Sequence, residues 1–295
     1  MIIREALRTA AERLEANRTS NARLTAEVLL AHLLSVSREY LHAHDDRVLR
    51  NEESEALENA VDERASGVPV QYIIGLQEFY GRCFRVNPSV LIPRPETECI
   101  IEAVLEINAT WGQPSRCRIL DVGTGSGCIA VTLALEVPAA DIFATDISGE
   151  AVRVAQENAS NLKADVGFVC TDVMDAVTGP FDIIVSNPPY VAAGDLSRLQ
   201  REVRDHEPHV ALFAPGDGGL GIYRRIVQSA TESLHPGGYL IMEIGIGMEE
   251  RILDLLGHGW DRFPTLADLQ GIPRTVIGRC SRGTNRWYGE GLPRT

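Results

Sequence analysis

A short apolar strand that runs directly into three alternating glycines constrains this chain more than any other feature. The segment reads Ile119-Leu-Asp-Val-Gly-Thr-Gly-Ser-Gly-Cys-Ile-Ala, and a helix is predicted to follow it. Glycines let the backbone turn sharply and let a ligand lie against it, while the first amide groups of the helix face polar groups of that ligand. The pattern therefore predicts a nucleotide-like cofactor, with a tight strand-to-helix turn that binds nothing as the alternative.

Short apolar strands alternate with helices from Arg118 onward, which is the pattern of a parallel sheet covered by helices on both faces. A helix over 96–110 precedes them. The predicted strands are 118–122, 140–146, 165–170, 181–186, 237–244, 260–266 and 274–280. The predicted fold class is α/β, a Rossmann-like seven-stranded domain with a small amino-terminal all-α domain and a β-hairpin linker.

The amino-terminal part has a different texture. Apolar residues three and four positions apart predict about four short helices in the first 66 residues. Asn51 is expected to cap the last of these helices and Gly67 to end it. From Val70 to Pro95, β-type residues punctuated by turn glycines predict a hairpin. We expect a helical domain at 1–68, a hairpin linker at 69–95 and a Rossmann-like domain at 96–295.

Composition excludes several classes of protein. The 41 acidic and 28 basic residues give a net charge of −13, which disfavours direct binding of nucleic acid. We find no apolar run near the roughly 18 residues that a membrane span needs, and the start of the chain is too charged for a signal peptide. The six cysteines form no C-x-x-C pair, so neither a zinc ribbon nor a disulfide framework is indicated. The chain is expected to be cytoplasmic.

Two aspartates follow the next strands of the predicted sheet. Asp146 lies about 20 residues beyond the glycines, where an acid accepts hydrogen bonds from ribose hydroxyls, and a helix-capping role is the alternative. Asp172 ends the third strand and is placed to accept from an adenine amino group, with Val173 covering the ring. A plain turn or cap aspartate is the alternative at this position.

The segment Phe181-Asp-Ile-Ile-Val-Ser-Asn-Pro-Pro-Tyr indicates the reaction class. Pro188 and Pro189 fix the backbone and remove two amide donors, which leaves the Asn187 side chain and the Pro188 carbonyl as acceptors beside Tyr190. Such a site suits a planar NH2 group with Tyr190 stacked on its flat face. Two acceptors would raise the electron density on a poorly nucleophilic nitrogen and aim it at a methyl group. A proline-rich turn without chemistry is the alternative.

With these motifs the chain resembles the HemK/PrmC family of protein-(glutamine-N5) methyltransferases over nearly its whole length. Asn-Pro-Pro-Tyr is shared with DNA adenine and ribosomal RNA methyltransferases, whereas the segment from Leu91 is more particular to this family. The matching segments are Pro69-Val-Gln-Tyr-Ile-Ile-Gly, Glu78-Phe-Tyr-Gly, Leu91-Ile-Pro-Arg-Pro-Glu-Thr-Glu, Glu207-Pro with Ala211-Leu, Pro236-Gly-Gly-Tyr-Leu-Ile-Met-Glu-Ile-Gly and Asp268-Leu-Gln-Gly-Ile-Pro-Arg.

The resemblance implies methyl transfer from S-adenosylmethionine to a glutamine in the Gly-Gly-Gln loop of peptide chain release factors, which the helical domain helps to dock. It implies that Asp146 binds the ribose and that Asp172 and Val173 bind the adenine, although some members carry an aromatic residue in place of Val173. The methionine part would lie on Gly123, Thr124, Gly125, Ser126 and Gly127. Asn187 would also touch the cofactor, and Asn187, Pro188, Pro189 and Tyr190 would hold the glutamine amide. A monomer is expected.

Other interpretations remain open. A glutamine of a ribosomal protein is an alternative substrate, and an exocyclic amine of nucleic acid is another. A nicotinamide oxidoreductase is disfavoured because the third glycine comes one residue too early for G-x-G-x-x-G, and a non-enzymatic binding module is a further alternative. His42 and His44 lack the spacing of a complete metal site, so no metal is predicted. His206 and His209 receive no role, because methyl transfer to an amide needs no strong base.

Overall fold

The computed structural model describes residues 1–110, 117–214 and 217–281. Within these ranges no helix is both long enough and apolar enough to cross a membrane. The α-helices are α1 (Ile3–Ala16), α2 (Ala22–Leu34), α3 (Arg38–Ala43), α4 (Asn51–Ser66), α5 (Val70–Ile74), α6 (Glu98–Thr110), α7 (Cys128–Glu136), α8 (Gly149–Leu162), α9 (Arg201–His206), α10 (His209–Leu212), α11 (Gly221–Ser233) and α12 (Glu249–Leu256). The strands are β1 (Leu76–Phe79), β2 (Arg82–Arg85), β3 (Arg118–Val122), β4 (Asp141–Asp146), β5 (Gly167–Cys170), β6 (Phe181–Ser186), β7 (Leu234–Glu243), β8 (Trp260–Arg262), β9 (Leu266–Ala267) and β10 (Pro273–Cys280).

The chain divides into two compact units. The first contains Met1–Leu76 and Arg198–Glu207, and the second contains Gln77–Ser197 and Pro208–Thr295. The division into domains at residues 68 and 95 stays a prediction, and residues 282–295 of the last predicted domain lie outside the described residues.

Helices α1 to α4 confirm the predicted amino-terminal helical bundle. Their apolar residues form one core, because positions three or four apart share a helix face. Leu7, Leu14, Leu29, Leu30 and Leu57 are buried in it. The short helix α9, far along the chain, also belongs to this unit. Its Glu202 pairs with Arg64 of α4 at 2.8 Å.

The start of α4 differs from the prediction. Asn51 is the first helical residue and does not cap the helix, because Arg50 occupies the capping position. The carboxylate of Glu53 takes over part of the cap by accepting from the Arg50 amide at 2.9 Å. That hydrogen bond, with Arg47 and Arg50 nearby, lowers the pKa of Glu53. Gly67 ends the helix with φ +111°, as predicted.

The predicted hairpin is present but starts later than expected. Val70–Ile74 is the helix α5, so the prediction of extended structure from Val70 is wrong. The reason is its spacing, since Val70, Ile73 and Ile74 pack together against the core of the first unit. The hairpin itself is β1 and β2, joined by Tyr80 and Gly81 with φ +50° and +69°, the signs that a tight hairpin turn requires.

The second unit is built on a mixed sheet with strand order β5-β4-β3-β6-β7-β10-β8, and β9 pairs with β10. β3 to β7 are parallel, and every residue of β6 is buried. Alternate residues enter two cores: Ile119 and Ile183 pack with residues of α6 and α7, whereas Leu120 and Ile184 pack with residues of α11 and α12. Helices on both faces confirm the predicted α/β, Rossmann-like class.

The carboxyl-terminal edge of the sheet departs from the predicted parallel arrangement. β10 runs antiparallel to both β7 and β8, because it follows β8 and β9 through short connections instead of a crossover helix. The strand predicted at 260–266 is divided into β8 and β9. Pro264 lies in the gap, where its missing amide donor interrupts the ladder.

Candidate active site

A cavity of about 260 Å³ lies where β3, β4 and β6 end, entirely within the second unit. The strand order reverses here, because β4 pairs with one edge of β3 and β6 with the other, and open α/β sheets bind ligands at such a point. Most of the predicted site residues line this cavity. They are Gly123, Thr124, Gly125, Ser126, Asp146, Asp172, Val173, Asn187, Pro188 and Pro189. Gly127 and Tyr190 do not.

The glycine loop is bent by three left-handed residues. Gly123, Gly125 and Gly127 have φ of +75°, +55° and +81°, which disfavour any other residue. A Cβ on Gly123 or Gly125 would meet no atom within 4 Å, so these two positions leave open space beside the cavity. A Cβ on Gly127 would lie 3.0 Å from the Cβ of Ala155 in α8. Gly127 therefore serves helix packing.

Asp121 supports the loop from behind. It is fully buried at the end of β3 and accepts a 2.7 Å hydrogen bond from the Thr124 hydroxyl. Burial raises the pKa of Asp121 to about 7. The side chain therefore fixes the loop from inside the core, and it is absent from the cavity lining.

Asp146 links the loop to the start of α8. Its Oδ2 accepts from the Gly125 amide and its Oδ1 from the Ser148 amide, each at 2.9 Å. The cap of α8 is Ser148, whose hydroxyl accepts from the Ala151 amide at 3.2 Å. Burial raises the pKa of Asp146. The alternative interpretation, in which Asp146 caps α8, is therefore not needed, because Ser148 caps this helix.

The end of the cavity near β5 contains a pair that the sequence did not reveal. Asp172 forms a 2.9 Å ion pair with Arg225 of α11, and both residues line the cavity. Val173 has φ +50°, which is unusual for a β-branched residue, and its carbonyl accepts from the Thr145 hydroxyl at 2.8 Å. Arg225 lies about 50 residues along the chain from Asp172, so no local motif contains both.

Asn187 is hydrogen-bonded to Thr97, and Thr97 is in turn hydrogen-bonded to Glu243. Both residues lie far from Asn187 in sequence. The Asn187 Nδ2 donates to Thr97 Oγ1 at 3.0 Å, and the Thr97 hydroxyl donates to Glu243 Oε2 at 2.6 Å. Burial raises the pKa of Glu243 to about 7. Thr97 and Glu243 received no individual role from the sequence, although both lie in segments that carry the family resemblance. That resemblance was the one signal that pointed to them.

Tyr190 lies apart from the other residues of its motif. Its ring packs against Gly245, where a Cβ would stand 3.0 Å from Cδ2 of the ring, and against the second core. Burial raises the pKa of Tyr190 to about 12. Pro188 and Pro189 line the cavity, whereas Tyr190 does not. Stacking of Tyr190 on a substrate therefore stays a prediction.

The histidines noted in the sequence take part in local contacts. His42 lies 3.6 Å from Glu27, and His44 stacks on Tyr40. His209 meets Phe213 edge to face. Among the described residues, no three His, Cys, Asp or Glu side chains are grouped so that they could hold a metal ion.

Comparison with known proteins identifies two family domains. The family described as PrmC N-terminal domain matches residues 5–75, and that described as Methyltransferase small domain matches residues 105–204. Release factor glutamine methyltransferases of Koribacter versatilis and Geobacter sulfurreducens are 46% and 43% identical to the chain. They cover 95% and 88% of it, and 99% and 90% of their own lengths are matched.

Solved structures agree at the level of the fold. A T. thermophilus 16S rRNA N2 methyltransferase, solved with AdoMet and guanosine, superimposes with a TM-score of 0.51 at 20% identity. The match covers 70% of this chain and 49% of the other. The Rossmann-like fold and the matched family domain thus define a methyltransferase. More narrowly, the identity to curated relatives over almost the whole chain shows that it belongs to the family of release factor glutamine methyltransferases, which confirms the resemblance.

Proposed function

We propose that this enzyme transfers a methyl group from S-adenosylmethionine to the side-chain amide nitrogen, N5, of the glutamine in the Gly-Gly-Gln loop of peptide chain release factors. The observation that carries the proposal is the hydrogen bonding of the Asn187 side-chain amide. Its NH2 group is engaged by Thr97, so its carbonyl oxygen is the atom that can accept from a substrate NH2 group. The two curated relatives compared above are named release factor glutamine methyltransferases.

The residues around the cavity fit the proposed cofactor. Gly123 and Gly125 leave space for the methionine part, because a side chain at either position would project into an open region. The Asp146 carboxylate is the proposed partner of the ribose, and Asp172 with Val173 is proposed to face the adenine. When bound, S-adenosylmethionine supplies an electrophilic methyl group on a positively charged sulfur.

The acceptor side of the site activates a weak nucleophile by hydrogen bonding. An amide nitrogen shares its lone pair with the carbonyl group and attacks poorly. Asn187 Oδ1 and the Pro188 carbonyl would each accept one hydrogen of the glutamine NH2 group, raising the electron density on nitrogen and fixing its direction. One of these hydrogens is released to water after the transfer, so no histidine is assigned as a base.

Partner, location and assembly complete the proposal. The net charge of −13 supports a protein substrate over a polynucleotide. We propose that the helices of the first unit dock the release factor and that the enzyme acts in the cytoplasm. A monomer is also part of the proposal.

The test is transfer of labelled methyl groups to four acceptors in parallel: a purified release factor, its Gln→Ala variant in the Gly-Gly-Gln loop, purified ribosomal proteins and bulk nucleic acid. Label on the wild-type release factor alone is the expected result. Label on a ribosomal protein or on nucleic acid would instead identify one of the alternative substrates. The absence of label from all four would contradict the proposed acceptor.

A further inference from the structure

Three side chains from three separate elements form a continuous chain of hydrogen bonds behind the proposed acceptor site. Asn187 follows β6, Thr97 ends the 3-10 turn Pro95–Thr97, and Glu243 is the last residue of β7. The Asn187 Nδ2 to Thr97 Oγ1 distance is 3.0 Å, and the Thr97 Oγ1 to Glu243 Oε2 distance is 2.6 Å. Thr97 and Glu243 are each only 2% exposed, so water does not compete for these bonds.

The chain of bonds has a direction that follows from proton counting. When Glu243 is ionised it has no proton to donate, so the single hydroxyl proton of Thr97 points at its Oε2. Thr97 Oγ1 can then only accept from Asn187, which requires the NH2 end of the Asn187 amide to face Thr97. The opposite end, Oδ1, is thereby presented as an acceptor. A flipped amide would present hydrogens to the hydrogens of a substrate NH2 group and would repel it.

The members of this chain are themselves held in place. The Tyr223 hydroxyl donates to the backbone carbonyl of Glu243 at 2.8 Å. Glu243 also pairs with Thr275 in the antiparallel ladder of β7 and β10. Next to Asn187, the Ser186 hydroxyl donates to the Val122 carbonyl at 2.7 Å. Both ends of this series of hydrogen bonds are therefore anchored in the sheet.

We propose that Thr97 and Glu243 are positioning residues, which fix the orientation of the Asn187 side-chain amide so that its oxygen faces the substrate when Glu243 is ionised. This inference rests on the proposed function, in which Asn187 accepts from the glutamine NH2 group. It goes further by assigning a role to two buried residues that act through Asn187, one of which, Thr97, also borders the cavity.

The test compares Thr97→Val, which keeps the volume but removes the hydroxyl, with Thr97→Ser, which keeps the hydroxyl. Thr97→Val is expected to lower kcat by about 10- to 100-fold through lost orientation, with the calorimetric affinity for S-adenosylmethionine changed by less than about twofold. Thr97→Ser should restore most of kcat. In an Asn187→Ala background, Thr97→Val should have no further effect, because Thr97 acts only through Asn187.

A second readout does not depend on turnover. The side-chain NH2 resonances of Asn187, identified by their loss in Asn187→Ala, should shift in Thr97→Val and return in Thr97→Ser. If Thr97→Val proves unstable, Glu243→Gln replaces it. A glutamine can donate as well as accept, so this variant should also lower kcat and move the Asn187 resonances.

Two contrary outcomes separate this inference from the proposed function. Normal kcat in Thr97→Val together with a severe loss in Asn187→Ala would overturn the positioning role and leave the proposed function standing. Equal effects of Thr97→Val with and without Asn187 would overturn it as well. Normal turnover by Asn187→Ala would instead contradict the proposed function itself.

Discussion

The carboxylate of Asp146 holds the glycine loop and is also the proposed partner of the ribose. Each of its oxygens accepts one backbone amide, from Gly125 or from Ser148. Because a carboxylate offers about four acceptor sites, one remains for a ribose hydroxyl even with the further amide of Ile147. The shape of the glycine loop and the proposed recognition of the ribose therefore depend on the same side chain.

Asp146→Ala is expected to weaken binding of S-adenosylmethionine by at least about tenfold, because hydrogen bonds to a charged group are lost together with the loop geometry. Asp268→Ala is the matched control. Its carboxylate also accepts two backbone amides, from Gln270 and Ile272, but it does not line the cavity. Calorimetric titration and denaturant unfolding of both variants make the comparison. An unchanged affinity in Asp146→Ala would mean that this residue supports the loop and does not contact S-adenosylmethionine.

The buried carboxyl of Glu243 predicts a pH dependence of stability. Burial raises its pKa to about 7, with Arg274 and Arg94 opposing the shift and Glu96 adding to it. A raised pKa means that the folded state favours the protonated form. The stabilising contribution of Glu243 is therefore complete below its unfolded pKa, near 4.5, and is lost as the pH rises through about 7.

Glu243→Gln carries no such titration. Relative to the wild type, the free energy of unfolding of this variant should rise between pH 5 and pH 8, by up to about 3 kcal/mol. Denaturant unfolding of both proteins at several pH values measures the difference, in which the titration of groups that do not interact with Glu243 cancels. A difference that does not change with pH would mean that Glu243 is not protonated in the folded protein near neutral pH.

Among the elements, the glycine loop allows a prediction that separates backbone strain from ligand contact. Gly125 and Gly81 both have positive φ, +55° and +69°, and a Cβ at either position would meet no atom within 4 Å. Gly125 lines the cavity, whereas Gly81 lies in the hairpin turn. Alanine should lower stability similarly at both positions, by about 1 kcal/mol.

Only Gly125→Ala should also weaken binding of S-adenosylmethionine, because its new methyl group borders the space proposed for the methionine part. Parallel thermal melts and calorimetric titrations give both quantities for each variant. Equal affinities in Gly125→Ala and Gly81→Ala would show that this glycine is needed for its conformation alone.

Elements whose signals are local were predictable from the sequence. The strand and glycines of 119–127 and the segment of β6 with Asn187 are continuous in sequence and lie where expected. Two predictions failed where a distant partner decides. Val70–Ile74 is helical because its apolar face meets the first core, and β10 is antiparallel because β8 and β9 return the chain to β7.

The same distinction applies to the site. Its glycines and the Asn-Pro-Pro-Tyr segment form recognisable motifs, whereas the residues that hold them come from elsewhere. Thr97 and Glu243 are separated by 146 residues, and Arg225 reaches Asp172 from another helix. Such contacts depend on the strand order of the whole sheet, which no local pattern encodes.

At the scale of the whole molecule, the first unit is completed by the distant helix α9. Glu202 pairs with the buried Arg64 at 2.8 Å, and Arg201 donates to the Ser66 carbonyl at 2.9 Å. A chain that lacks residues 1–76 leaves α9 without these partners. At six residues it is too short to persist as an isolated helix in water.

Limited trypsin digestion tests this dependence. In the full chain, the bonds after Arg201 and Arg204 should resist cleavage, whereas the chain that lacks residues 1–76 should be cut there rapidly. The bond after Arg225, within α11 of the second unit, is the internal control and should resist in both chains. Equal protection of α9 in both chains would show that other contacts order it.

The composition of the first unit has a consequence for synthesis on the ribosome. Leu76 and Glu207 are separated by 131 residues, all of which must be translated before α9 exists. At typical elongation rates this takes roughly 7 to 26 s. During that interval the nascent helical bundle has its core but lacks α9. The surface around Arg64 and Ser66, which α9 later contacts, is exposed until then and accessible to other molecules near the ribosome.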